Sequence, residues 1–453
     1  MKKCIKNLMS LSMVFTMVGC GSKVSSFSSN KTSSSSIVIK TKEELNKEFI
    51  EELENKMEVV NTKVDAILDN DLVSYETNST EKSILTLISE EETVEVLNSE
   101  GTSYNVSNVD MVAGKAYYDE YLTRTEDEEG NVIYDKELVA SIASIDTSSS
   151  YSKTETINHL VDEENNKYTY KNDVETWLYP TKSYVITNEE YDPSDYGENT
   201  SIYEYNDITT DEDYYMNNYL VYYALEEGEI LLNSDNSELK ESIFYKFLNK
   251  EATSKEVVDY LVESYDEIAS EIPEDIDIGF DFIKDLNYQN MMIVVLNEIQ
   301  DIDYYSLFTS SVTKNGNKET YTIKLDLEAL IDTTRDIVDA FERGLSFIPE
   351  EDENKATLNT LVDLIKDDLK NRVPTTFDVS TSVHFEDDMV IGYDSTTKIN
   401  GLLPYTLGIF VFGASDLEVL DNTVINVDIT TSTEFSLSNT YKNIPSVDES
   451  KFN

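Results

Sequence analysis

Cysteine is nearly absent from this 453-residue chain: there are two, Cys4 and Cys20, both in the first twenty positions. The body beyond them has no thiol for a disulfide or a thiolate metal site, so its fold must be held by burial alone. Roughly 430 residues are enough for two or three ordinary cores, which removes the need for covalent staples. Histidine is as scarce, with His159 and His384 the only two. They sit in separate strand-like runs without a Cys or second His nearby, which excludes zinc sites of the usual ligand spacing. No G-x-S-x-G turn or comparable nucleophile device occurs, and each His reads as an ordinary hydrogen-bonded or exposed strand residue. The single Trp, Trp177, is sparse for an aromatic-lined sugar cleft. Positive charge is also in deficit: 35 Lys and Arg face 90 Asp and Glu, a net charge of −55. That opposes nucleic-acid binding, which needs clustered bases against phosphates. After the first twenty residues no apolar run approaches the ~20 residues needed to span a bilayer.

What is present argues for folded cores. The hydrophobic fraction is 40%, with 30 Tyr and 16 Phe, and such aromatic loading is not that of a disordered chain. The strong negative field favours divalent cations or basic partners, and equally serves solubility.

The N-terminus carries an address. Lys2, Lys3 and Lys6 form a positive region, Leu8 to Val18 an apolar one too short to span, and Gly19 is a small residue at a cleavage position, which together read as a secretory signal. Met17-Val18-Gly19-Cys20, followed by Gly21-Ser22, resembles the lipobox of bacterial lipoproteins. The resemblance implies that residues 1–19 are removed and that Cys20 becomes the first residue and the lipid-attachment site. The membrane is then the partner, through an N-terminal lipid on the extracytoplasmic face. Residues 20–36, rich in Ser, Asn and Thr, read as a flexible tether with a reach of about 20 to 25 Å.

Thr41-Lys42-Glu43-Glu44 has the capping-box pattern and predicts a helix. Its apolar stripe is Leu45, Phe49, Leu53, Met57, Val60, Val64 and Ile67, and Lys42 is expected to face water. Strand-like runs follow at Leu72–Thr77, Ser83–Ser89, Thr93–Leu97, Val109–Tyr121, Tyr151–Ile157, Lys167–Lys171, Thr176–Ile186 and Ser201–Tyr205. Asp127–Asn131 and Asp162–Asn166 read as hairpin loops. From about Thr210 to Ile272 the spacing is helical, with a second capping box at Thr253–Glu256. Asn315-Gly316 marks a tight hairpin between Tyr304–Val312 and Thr320–Leu327. Helices are predicted over Leu327–Gly344 and Lys355–Lys370. Strands are predicted over Thr376–Glu386, Met389–Ile399, Thr406–Phe412 and Thr423–Leu437, with a turn at Asp387-Asp388.

This order predicts an α+β fold of antiparallel, curved sheets packed with helices, in two domains, residues 37–232 and 233–453. Asp275–Gly279 and Asp301–Asp303 place acids at alternate positions, as calcium loops do, but neither completes an EF-hand, so no metal ligand, cofactor or catalytic residue is assigned. The tyrosines from Tyr203 to Tyr223 fit either core packing or a groove lining. A helix before an antiparallel sheet on a lipobox-anchored chain is similar to the LolA/LppX-type lipoprotein architecture. That likeness implies a non-enzymatic, extracytoplasmic lipoprotein binding a hydrophobic or cell-envelope ligand or a partner protein. The alternative is an envelope hydrolase using paired carboxylates.

Overall fold

The computed structural model describes residues 40–88, 93–110, 125–126, 132–133, 149–162, 166–179, 182–207, 242–271, 281–352, 354–402, 404 and 424–452. The expected signal, tether and Cys20 lie outside them. So do the boundary at 232/233, Asp127–Asn131, Tyr214–Tyr223, Asp275–Gly279 and Thr406–Phe412.

Helix α1 spans Lys42–Leu68. It starts on a reciprocal cap, in which Thr41 N–H donates to Glu44 Oε2 (3.0 Å) and Glu44 N–H to Thr41 Oγ1 (3.3 Å). Strands β1 (Leu72–Ile88) and β2 (Thr93–Asp110) follow. A small two-stranded pair, β3 (Thr125–Glu126) and β4 (Val132–Ile133), precedes β5 (Ser149–Val161), β6 (Lys167–Tyr179), β7 (Lys182–Asp192) and β8 (Thr200–Asp207). A helical stretch comes next: α2 (Ile243–Leu248), α3 (Ser254–Glu271) and α4 (Leu286–Asp301). The chain continues through β9 (Phe308–Asn315), β10 (Lys318–Leu325), α5 (Leu327–Gly344), α6 (Lys355–Asn371), β11 (Thr376–Glu386), β12 (Met389–Gly401) and β13 (Val424–Ser438).

The long strands form one open 11-stranded antiparallel sheet in the order β8-β7-β6-β5-β2-β1-β13-β12-β11-β10-β9. The chain enters at the middle with β1, works outward to β8, transfers through the helices to the far edge at β9, and works back to β13. There β13 pairs with β1 over fifteen residue pairs. The fold is therefore α+β, as its element order predicts, and the strands of both sequence halves share this sheet.

Alternation assigns each half of the sheet its faces. In β10 to β13 one face is apolar: Tyr321, Ile323, Val379, Phe385, Ile399 and Val427 all belong to clusters covered by helices. Helix α1 lays Phe49, Ile50 and Val60 on Phe308, Tyr321 and Phe385, while α5 seats Ile331 on Val379, Ile399, Ile425 and Val427. Helices α4 and α6 pack behind α5 through Tyr288, Met291, Val338, Val362 and Leu369. Further out, α2 and α3 meet α4 through Phe247, Val257, Leu296 and Ile299. Asn46, 2% exposed, ties α1 to the β9 edge. Its Nδ2 donates to the carbonyls of Tyr305 (2.7 Å) and Phe308 (2.6 Å), and Ser310 Oγ donates to its Oδ1 (2.6 Å).

Several local expectations change. Leu45, at the start of the predicted stripe, is 52% exposed, and Ile50 takes a buried place instead. Lys42 turns inward, donating to the Ser306 carbonyl (2.7 Å) and to Asp326 Oδ2 (2.6 Å). The run Leu72–Thr77 and residues Ser83–Ile88 of the run Ser83–Ser89 are parts of one strand, β1, whereas Thr176–Ile186 divides between β6 and β7. Helix α4 was not legible from periodicity, because the run Met291–Leu296 is apolar all round and lies between other helices. The turn at Asp387-Asp388 has φ of 50° and 59°; the β9–β10 turn falls one residue later than expected, on Gly316-Asn317 between the paired Asn315 and Lys318, with Gly316 at φ 67°, and such left-handed values close two-residue hairpins. Among the described residues no helix is long and apolar enough to cross a membrane.

Candidate functional site: a hydroxyl-rich sheet face

The face opposite the helices on β10 to β13, continuing onto β1 and β2, is polar. Register places Thr322, Ser382, Asp394, Ser432, Thr80 and Thr102 in one row across six adjacent strands. The next row holds Thr320, His384, Gly392, Glu434, Asn78 and Tyr104. On β10 and β11 the intervening residues Tyr321, Ile323, Val383 and Phe385 point into the helix-covered core.

His384 links the two rows. Its Nε2 lies 2.8 Å from Asp394 Oδ2 and its Nδ1 lies 3.0 Å from Thr320 Oγ1. In the neutral ring, Nε2–H donates to the carboxylate and Nδ1 accepts from the Thr320 hydroxyl. Beside them Thr322 Oγ1 and Ser382 Oγ are 2.8 Å apart. This Thr-His-Asp chain does not assemble an acyl-transfer site. Thr320 sits in mid-strand, paired with His384 on one side and Thr313 on the other, so the local backbone N–H groups belong to ladders rather than to an oxyanion hole.

Gly392 supplies no side chain between His384 and Glu434, and this gap helps form a recess of about 630 Å³ lined by Asn78, Tyr104, Thr320, His384, Asp394 and Glu434. A neighbouring recess of about 520 Å³ is lined by Thr80, Thr102, Thr396, Thr430, Glu100 and Glu155. Asp394 and Ser432 line both. A hydrogen bond from Lys442, with a second from Tyr104, keeps Glu76 below the ordinary carboxylate range. On the helix-covered side of the same sheet Lys56 holds Glu319 low, against burial and with a lesser share from Lys314. A general acid needs the opposite shift. The arrangement suits multipoint hydrogen bonding to a polar ligand.

The two histidines part company: His159 is exposed on β5, and only His384 joins this face. Asp303 caps a short 3-10 turn by accepting from the Tyr305 N–H at 3.1 Å, and Asp301 lies 3.7 Å from Lys250. Among the described residues no group of three or more His, Cys, Asp or Glu is placed to hold a metal ion. Tyr203 and Tyr205 lie on edge strand β8, as the strand-like run Ser201–Tyr205 predicts. Sequence reasoning missed Thr320, Asp394 and the hydroxyl rows. The available signal was the Thr and Ser at alternate positions of successive strands, as in Ser380-Thr381-Ser382 and Thr430 to Thr433. No protein-family model matches the chain, and neither a curated protein nor a solved structure matches it.

Proposed function

We propose that the chain is a lipid-anchored extracytoplasmic binding protein, held at the membrane through Cys20, whose hydroxyl-rich sheet face takes a polar cell-envelope ligand. The observation that carries the ligand class is the continuous row from Thr322 through Asp394 to Thr102, with His384 beside it in the next row. It offers donors and acceptors at strand spacing, with threonine methyls and aliphatic stems between them. Of the ligands expected from the sequence, this surface favours a hydroxylated polymer over a hydrophobic one. The LolA/LppX-type likeness enters the proposal through element order alone. A sheet curved round its ligand belongs to the same proposal, while the β1–β13 ladder and the seat of α1 on Phe308, Tyr321 and Phe385 tie the two sequence halves together.

Native mass spectrometry of the protein taken from its own membrane tests the reading. A retained polar envelope fragment, lost on Thr80→Val with Thr430→Val, is the expected result. A retained lipid that survives both substitutions would overturn it.

A further inference from the structure

The other half of the polar-facing side is aromatic. Register aligns Val106, Tyr151, Trp177, Tyr184 and Tyr205 in one row across β2, β5, β6, β7 and β8. Ring centroids lie 5.1 Å apart for Tyr151 and Trp177, and 5.2 Å for Tyr184 and Tyr205. Residues 439–452 run over this row as a strap that joins no strand ladder. Ile444, Val447 and Phe452 pack into the cluster.

The strap is gripped as a bound peptide is gripped. Asn108, 2% exposed, clamps the main chain of Lys442, donating Nδ2 to its carbonyl (2.9 Å) and accepting its N–H on Oδ1 (2.7 Å). Trp177 donates its indole N–H to the Pro445 carbonyl at 2.9 Å. Two of the contacts therefore read backbone rather than side chain. Charged groups fix both ends: Lys442 Nζ meets Glu76 Oε2 at 2.7 Å, and Glu449 Oε1 accepts from Lys182 Nζ (2.9 Å) and Tyr184 OH (2.8 Å). Phe452 closes the row against Tyr184 and Tyr203, at centroid distances of 5.0 and 5.8 Å. The strap carries Lys442, Lys451, Asp448 and Glu449, two charges of each sign, so it reaches a chain of net charge −55 without general repulsion.

We propose that this aromatic face is a binding site for an extended polypeptide supplied in trans, and that residues 439–452 are its resident competitor. The partner fitted is an extended segment bearing a cation, two aliphatic residues, an acid and an aromatic ring in the strap's order. Main-chain capture, side-chain pockets and charged ends are the features by which extended peptides are recognised. Because the strap is held by side chains and not by a ladder, its local opening exposes the site without dismantling the sheet.

The test uses the full chain and a fluorescent peptide of residues 440–452, with a scrambled peptide as control. Trp177, the only Trp, reports seating of the strap by its emission. The double variant Glu449→Lys with Phe452→Ala is expected to shift that emission to the red and to bind the peptide at least about tenfold more tightly than the wild type, since the competitor's occupancy is removed. Adding Asn108→Ala should weaken binding about tenfold. As a second route, the chain with Lys182→Glu should prefer a peptide carrying Glu449→Lys over the unaltered one. Unchanged Trp177 emission in the double variant would make the strap a fixed part of the core and overturn the proposal. So would binding of the scrambled peptide as tight as that of the strap peptide, or the absence of any charge-swap preference.

Discussion

Lys42 and Asp326, 284 positions apart, meet at 2.6 Å and join the first turn of α1 to the first turn of α5. Asp326 also caps α5 by accepting from the Ala329 N–H at 3.2 Å. Burial alone would push its carboxyl up, but the Lys42 ammonium and the helix N–H groups outweigh it and hold the carboxyl below its ordinary value. Lys42→Met is expected to cost about 1 kcal/mol, given that both side chains are partly solvated. The pair's contribution is complete above the unfolded carboxyl value, about 3.9, and is lost as pH falls through the lower folded value. Denaturant titrations of wild type and variant at stepped pH check this: the gap between them should close on acidification and stay constant from pH 5 to 8.

The face of α1 gives a second contrast. Leu53 packs with Phe49, Phe308 and Phe385, whereas Leu45 is exposed. Leu53→Asp should destabilise by about 3 to 5 kcal/mol, through lost burial and an unpaired charge. Leu45→Asp should remain within about 0.5 kcal/mol. Equal melting shifts would mean that the helix face is misassigned.

Gly392 is sensitive for a different reason. A Cβ there would stand 2.3 Å from the Thr433 carbonyl oxygen and 3.3 Å from Glu434 Cα, so β12 and β13 approach too closely for any side chain. Gly392→Ala should cost about 1 to 3 kcal/mol by overpacking and should speed amide exchange between these two strands more than at β6 and β7. Uniform exchange across the sheet would count against this account.

Acid should loosen the strap. Hydrogen bonds from Lys182 and Tyr184 hold Glu449 below its ordinary carboxyl value. Their contribution is therefore full above the unfolded value, near 4.3, and is lost as pH falls through the folded one. Trp177 emission should shift to the red in that acid range while far-ultraviolet dichroism still reports strands. In Glu449→Gln the early emission change should be absent.

Cys20→Ala should abolish incorporation of a palmitate analogue, since Cys20 is the only cysteine after residue 4. Labelling that persists in the variant would end the lipid-anchor proposal. The uncleaved apolar region can retain precursor at the membrane, so labelling is a cleaner readout than fractionation.

Local chemistry made much of the fold legible. Both capping boxes close as their spacing requires: Thr253 N–H donates to Glu256 Oε2 at 2.7 Å, as Thr41 does to Glu44. The bounds of α5 and β11, and the Asp387-Asp388 turn, follow from period and turn residues. What failed was non-local. Nothing in Leu72–Ile88 announces that its neighbour is Val424–Ser438, and α4 lacks a polar face to mark its period. The candidate site was hidden for the same reason. Threonine favours strands on either face, so Thr80, Thr322 and Ser432 become a row only once the register of six strands is known. Lys42 misled because a first-turn lysine ordinarily faces solvent, and its partner lies on a helix 284 positions away.

The pairing of β1 with β13 has a temporal meaning. The hydroxyls of Ser79 and Thr433 touch at 2.9 Å across a separation of 354 residues, so the centre of the sheet cannot close until β13 has been made. Until then β1 has one strand neighbour, β2, and the two meanders are joined through α1 on Phe308, Tyr321 and Phe385 rather than by a ladder. Contacts of such long range form slowly. If the chain is exported N-terminus first, as proposed, its central ladder stays open until β13 has crossed the membrane.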